Sequence, residues 1–236
     1  MENLPLSISI IFIVTTFIAI LLFYKATKYS KTFLVIIITW LIGQTFLSLG
    51  GFYHVTNGVP PRFIILIFPP IFMIIFLLLT NTGKRFIDGL DLRTLTIFHS
   101  VRIPVELVLL SLYFYKLVPK IMTFEGTNFD IFSGLTALIV FYFMFKKKFF
   151  HRRILIIWNI ICFGLLVNIV VSAILSAPFD FQKFAFDQPN IAVLYFPFVW
   201  LPACIVPLVG LAHVSAIRQL MKNRKREAIN ILSSAA

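Results

Sequence analysis

Residues 95–115 read LTIFHSVRIPVELVLLSLYFY, a run long enough to cross a bilayer as a helix, with His99, Arg102 and Glu106 set among apolar side chains. About 20 mostly apolar residues span a hydrocarbon core roughly 30 Å thick. Ionisable groups at that depth are costly, and they face a protein interior or a water-filled cavity rather than lipid. The stretch therefore predicts a membrane span together with a bundle around it whose interior can receive an arginine and a glutamate.

Six further runs have the same character: residues 5–24, 32–55, 63–80, 131–145, 154–176 and 191–217. The chain is 60% hydrophobic and 13% charged, with a mean hydropathy of +0.98, whereas about 25% of the residues in a soluble domain are charged. The expected fold is an all-α integral membrane protein, a single seven-transmembrane-helix bundle over residues 1–217. A basic, amphipathic cytoplasmic tail follows over residues 218–236. In the tail, Ile217, Leu220, Met221, Ala228 and Ile231 gather on one side, as in a helix lying on anionic lipid.

The net charge of +12 is distributed by position. With the N-terminus outside, Lys25, Lys28, Lys31, Lys84, Arg85, Arg93, Lys146, Lys147, Lys148, Arg152, Arg153, Arg218, Lys222, Arg224, Lys225 and Arg226 are cytoplasmic, which is 16 of the 21 basic residues. This positive-inside bias assigns N-out, C-in topology in a bacterial-type inner membrane. It accounts for the basic charge without a nucleic-acid partner. The first segment does not read as a cleaved signal peptide, because Glu2 precedes it and Lys25 follows it.

At about 100° per residue, Arg102, Glu106 and Tyr113 fall within roughly 60° of His99, one polar stripe along the fourth span. Either the stripe binds a polar ligand or carries protons, or Arg102 and Glu106 simply neutralise each other as an i, i+4 pair. Depth matching adds His213 and Asn159 at the level of His99, and Gln44 and Asn168 near the midplane. The candidate ligand-binding set is thus His99, Arg102, Glu106, Tyr113, Gln44, Asn159, Asn168 and His213. Two aromatic external loops, residues 116–130 and 177–190, are expected to pack on the bundle as a lid, with Glu125, Asn128, Asp130 and Asp187 as their polar members.

Gly164, Asn168, Ser172 and Ser176 recur every fourth residue and predict a packing seam. Pro104, Pro69, Pro70, Pro197, Pro202 and Pro207 predict kinks that free backbone carbonyls inside the bundle. His99 and His213 could hold zinc, iron or a haem, yet no His-Glu-x-x-His or Cys-x-x-Cys spacing exists. No metal site is assigned, no catalytic residue is named, and no cofactor is called for. A retinal protein would need a lysine deep in the last span, which has none. The expected function is binding or transport of a small polar or anionic solute, with proton coupling through Glu106 or His99. Alternatives are a membrane-embedded enzyme acting on a lipid or apolar substrate, and a structural subunit of a membrane complex. Membrane lipids and the solute are the expected partners.

Overall fold

The chain builds helices wherever its apolar runs exceed about ten residues, and local signals set their ends. The computed structural model describes residues 4–56, 58, 60–147 and 149–234, with side chains as far as Lys222. Lys148 and the amphipathic face expected along the tail beyond Lys222 lie outside the described residues and side chains. Among the described residues the fold is all α, without strands. The helices are α1 (Leu6–Ala26), α2 (Lys31–Leu49), α3 (Ile64–Leu79), α4 (Asn81–Gly89), α5 (Leu92–Phe114), α6 (residues 130–146), α7 (Arg152–Leu175) and α8 (residues 201–234). Helix α8 runs unbroken across residues 217 and 218, where the tail was expected to begin.

Five of these helices, α1, α2, α5, α7 and the part of α8 from Leu201 to Lys222, are long and apolar enough to cross a membrane. Helices α3 and α4 would supply a sixth span together, although they meet at a 95° bend. The protein is a polytopic integral membrane protein. Burial separates an axis from a periphery: 61% of the apolar window is buried in both α5 and α8, against 17% in α2 and 28% in α7. The peripheral helices present Phe46, Leu49, Ile160 and Ile161 outward, as a surface facing lipid chains does. The polar residues His99, Arg102, Glu106 and His213 all lie on the two axial helices.

Residues 81–89, which lie between two of the apolar runs, form a helix of their own. Thr80 caps α4, its Oγ1 accepting from the Gly83 N–H at 3.1 Å, the role Thr plays at helix starts. Gly83 and Ile87, with Leu90 at the C-cap, are buried, on a nine-residue helix too short and too polar to register in a span-length window. Gly83 is required by close approach, since a Cβ there would stand 2.4 Å from the Leu77 Cα. Asp88 then receives Arg218 Nε at 2.9 Å and Lys222 Nζ. Gln219 Nε2 donates to the carbonyls of Ile87 and Leu90. Asp91 donates its N–H to the Ala26 carbonyl and caps α5 through the Thr94 N–H, both at 2.9 Å. The α1–α2 turn, α4, the start of α5 and the far part of α8 therefore share one end of the bundle.

Proline placement decides where α8 starts. A helix was expected from residue 191, yet residues 191–200 hold only a short 3-10 turn, Ala192–Leu194, and irregular backbone. Pro197 biases the preceding residue away from helical torsions. Helix α8 opens with a π-helical stretch, Leu201–Ile205, and contains Pro202 and Pro207. Pro207 has no N–H for the carbonyl of Ala203, and the Trp40 indole donates to that freed oxygen at 2.9 Å. Pro104 acts similarly in α5, where a 3-10 turn, His99–Val101, stands directly before Arg102.

The expected seam on α7 does not hold as one surface. Gly164 and Asn168 are exposed while Ser172 and Ser176 are buried. A four-residue repeat advances about 40° per step around a helix, so the row swings from the outer to the inner face.

Gly83→Ala is expected to destabilise the protein by about 1–3 kcal/mol, the range for overpacking. Gly89→Ala, where a Cβ would meet nothing within 4 Å, is expected to be neutral or mildly stabilising. Thermal unfolding of both variants in detergent checks this.

Candidate functional site

Arg102 is where the axial helices, α6 and α7 converge. It is almost wholly buried and makes its ion pair with Asp130, Nη1 to Oδ1 at 2.9 Å. The i, i+4 pairing weighed above as one alternative does not form: among the described residues no ion pair joins Arg102 to Glu106. Arg102 Nη2 donates to His213 Nε2 at 3.1 Å, and Nη1 also reaches the Cys162 carbonyl at 3.5 Å. The hydrogen-bond directions fix the imidazole. Asn159 Nδ2 donates to the Leu155 carbonyl at 2.8 Å, so its Oδ1 accepts from His213 Nδ1–H at 3.0 Å. His213 Nε2 is then the lone-pair nitrogen that Arg102 needs, and the ring is the neutral Nδ1–H tautomer.

Glu106, one turn past Arg102, is served by Asn128, whose Nδ2 lies 2.8 and 2.7 Å from the two carboxylate oxygens and 3.0 Å from the Met122 carbonyl. The Asn128 Oδ1 accepts from the Asp130 N–H at 3.0 Å, and Ser133 Oγ donates to Asp130 Oδ1 at 3.4 Å. One network therefore runs from Asn159 through His213, Arg102, Asp130 and Asn128 to Glu106. His99 stacks on His213 with centroids 3.9 Å apart and planes 15° apart, and the Trp158 ring meets it edge-on. Among the described residues neither nitrogen of His99 has a hydrogen-bond partner, nor has Arg102 Nε. The stacked rings aim their lone pairs along parallel planes, so the pair does not bracket a haem. Among the described residues no group of three or more His, Cys, Asp or Glu is arranged to hold a metal ion.

Asn128 and Asp130, expected on an external lid, are interior residues at 0% and 5% exposure. The loop between α5 and α6 folds inward to place them. Its Leu117 carbonyl accepts from the N–H groups of Ile191 and Ala192, and Gln188 Nε2 ties down the carbonyls of Tyr113 and Val118 at 2.9 and 2.6 Å. Helix α6 consequently begins at the depth of Arg102. Gly134, one turn after Asp130, permits that approach, because a Cβ there would lie 2.9 Å from Ile103 Cγ1 and 3.3 Å from Arg102 Cβ.

The other candidates lie apart from the cluster. Tyr113 sits about 16 Å further along α5, half-buried. Gln44 accepts from the Tyr53 hydroxyl. Asn168 is exposed and donates to the Thr127 carbonyl at 3.1 Å. Glu125 and Asp187 are exposed. The structure gathers His99, Arg102, Glu106, Asn159 and His213 in one cluster, with His213 and Asn159 beside His99 as their depths suggested.

A cavity of about 330 Å³ adjoins the cluster. Arg102, Glu106, Asp130 and Asn190 supply its polar lining; the remainder is apolar, including Ile67 and Ile74 of α3, Leu166 and Val170 of α7, and Val209 of α8. Ile71 and Ile75 on α3, and Val167 and Val171 on α7, line the cavity while each is at least 45% exposed. The cavity thus opens sideways between α3 and α7, towards the lipid.

Asp130→Asn is expected to cost about 3–5 kcal/mol, the penalty of leaving a buried charge unpaired. The double variant Arg102→Met/Asp130→Leu is expected to recover most of that loss in thermal unfolding in detergent. A double variant as unstable as the sum of its singles would refute the pairing.

No curated protein and no solved structure matches the chain. A family described as Domain of unknown function (DUF8737) matches residues 59–221, a stretch that runs from α3 into α8 and holds every member of the Arg102 network. The chain belongs to this DUF8737 family.

Proposed function

We propose that this protein binds an amphiphilic, lipid-like molecule within the membrane, its apolar chain in the cavity and its polar group against Arg102 and Glu106. The observation that carries this reading is the cavity itself: a charged patch set into walls that are otherwise apolar and open sideways to lipid. A small, fully polar solute would fit such walls poorly, since each buried polar group without a partner costs roughly 2–7 kcal/mol. Arg102 contributes an unpartnered Nε–H. Glu106 contributes a carboxyl supplied by one amide nitrogen. A polar group that both accepts and donates, such as a hydroxyl, amide or carboxylic acid, complements that pair. Members of the cluster are buried inside the chain's own bundle, which speaks against their docking a partner helix.

Proton-coupled movement of a small polar or anionic solute is a second reading, and one observation favours it. Glu106 is a buried carboxyl with no cation within ion-pair distance among the described residues, the kind of group that marks proton paths. For either reading we propose seven spans, N-terminus outside, in a bacterial-type inner membrane. The support is the positive-inside pattern, the contact of α4 with the far part of α8 at one end, and the packing of loop 115–129 against residues 188–194 at the other.

Gly210 lines the cavity, and a Cβ there meets nothing closer than 3.8 Å. Gly210→Leu is therefore expected to fill the space without unfolding the protein. Mass spectrometry of solvent extracts should find an amphiphile enriched with the wild-type protein and depleted at least fivefold from Gly210→Leu. Equal recovery from both sinks the amphiphile reading. pH-dependent solute uptake into proteoliposomes, abolished by Glu106→Gln, would replace it with the second.

For the topology, Glu125→Cys should react with an impermeant maleimide in intact cells, and Thr82→Cys only after permeabilisation. The native Cys162 and Cys204 are buried and should stay silent. The reverse pattern overturns the orientation.

A further inference from the structure

Beyond the central cavity a second, wider groove of about 570 Å³ runs between α7 and α8, lined by Phe163, Val214, Ile217, Arg218, Met221 and Lys222. Phe163 and Val214 line the central cavity as well, so the two spaces form one trough along α8. From Leu201 to Lys222 this trough rises about 32 Å at 1.5 Å per residue, which matches the roughly 30 Å hydrocarbon thickness. Its character changes along the way. Near Val214, Ile217 and Met221 the lining is apolar, with Met221 51% exposed. At its end stand two cations.

Those cations are shared with one acid. Asp88 takes two bonds from Arg218, at 2.9 and 3.3 Å, and one from Lys222. Burial alone would push the Asp88 carboxyl up. The bonds from Lys222 and Arg218 outweigh it and hold the group below its ordinary value, so it is ionised at neutral pH. Two positive groups facing one carboxylate leave a net charge of +1. Arg218 and Lys222 also keep 30% and 43% of their side-chain surface exposed. An apolar groove ending at headgroup depth beside an excess positive charge has the complementarity of a phospholipid with an anionic head.

We propose that Arg218 and Lys222 form a binding site for the headgroup of an anionic phospholipid, whose acyl chain lies along Ile217, Met221 and Val214 towards Phe163. The site does not rest on what occupies the central cavity. It places one membrane lipid at the end of the trough, with its phosphate sharing the two cations with Asp88.

The test uses the full-length protein purified in detergent, with native mass spectrometry as the readout and phosphatidylglycerol, phosphatidylcholine and inorganic phosphate as separate probes. Wild-type protein is expected to retain phosphatidylglycerol at least tenfold over phosphatidylcholine. Arg218→Gln/Lys222→Gln should abolish that preference. Because this pair also holds α4, two further variants leave both cations in place. Ile217→Trp should fill the groove and release the lipid, while Asp88→Asn should keep or strengthen retention by freeing both cations. Unchanged phosphatidylglycerol retention in Ile217→Trp and the double variant overturns the site. So does displacement of the lipid by millimolar inorganic phosphate alone, which would make it a site for free anions. Gly210→Leu and Glu106→Gln are expected to leave retention here unchanged, so failure of the cavity reading and failure of this one are distinguishable.

Discussion

A guanidinium inside a membrane protein has no neutral form to retreat to at ordinary pH, and the interior of this bundle is arranged to answer that one charge. Arg102 lies on an axial helix at 2% exposure, where its partner must be another buried group. That partner is Asp130, and much of the surrounding geometry follows. The loop after α5 turns inward, α6 begins at the depth of Arg102, and residue 134 is glycine where the two helices come closest. Among the described residues Glu106 is thereby left without an ion-pair partner, and it leans on Asn128, which the same inward loop delivers.

What the sequence made legible was what one-dimensional counting can measure. Long apolar runs marked the chain as a polytopic membrane protein, though five helices, or six with the bent α3–α4 pair, and not seven are long and apolar enough to cross. Depth along each run placed His99, His213 and Asn159 in one layer, where His99 stacks on His213 and His213 hydrogen-bonds Asn159. Counting failed where the chain leaves a straight path. Asp130 and Asn128 were assigned to an external lid because depth was reckoned from the ends of apolar runs, and α6 does not begin at a membrane surface. The same assumption put Asn168 near the midplane interior, though the turn of α7 carries it outward. Helix α4 was missed because, at nine residues, it is too short for a span-length window. The signals that mattered locally were Thr80 as a cap and Gly83 at a backbone contact.

Prolines tie the axis to its surroundings. In water, a carbonyl freed by proline finds solvent; in a membrane interior it must find a protein donor. Ala203 finds the Trp40 indole, which fastens peripheral α2 to axial α8. Trp200 does likewise, donating to Thr45 Oγ1 at 3.0 Å. Helix α2 is the least buried of the five long apolar helices, so these polar ties near the irregular start of α8 are a large part of what holds it against the bundle.

The two ends of the trough differ in the chemistry they can satisfy, and that difference constrains any molecule moving along it. At the centre, Arg102 is already neutralised by Asp130, and Glu106 adds a further acidic group. A bare phosphate there would meet the Asp130 carboxylate and the buried Glu106 carboxyl group beside one committed cation, with little water to screen them. At the far end, Arg218 and Lys222 outnumber Asp88 and remain partly solvated, a setting that accepts a permanent negative charge at little desolvation cost. On the two readings proposed above, a fully charged phospholipid head would suit the end of the trough rather than its middle, whereas a head bearing a hydroxyl, amide or neutral acid would suit Arg102 and Glu106. Selection would then be by headgroup charge, with the acyl chain against apolar walls in both places.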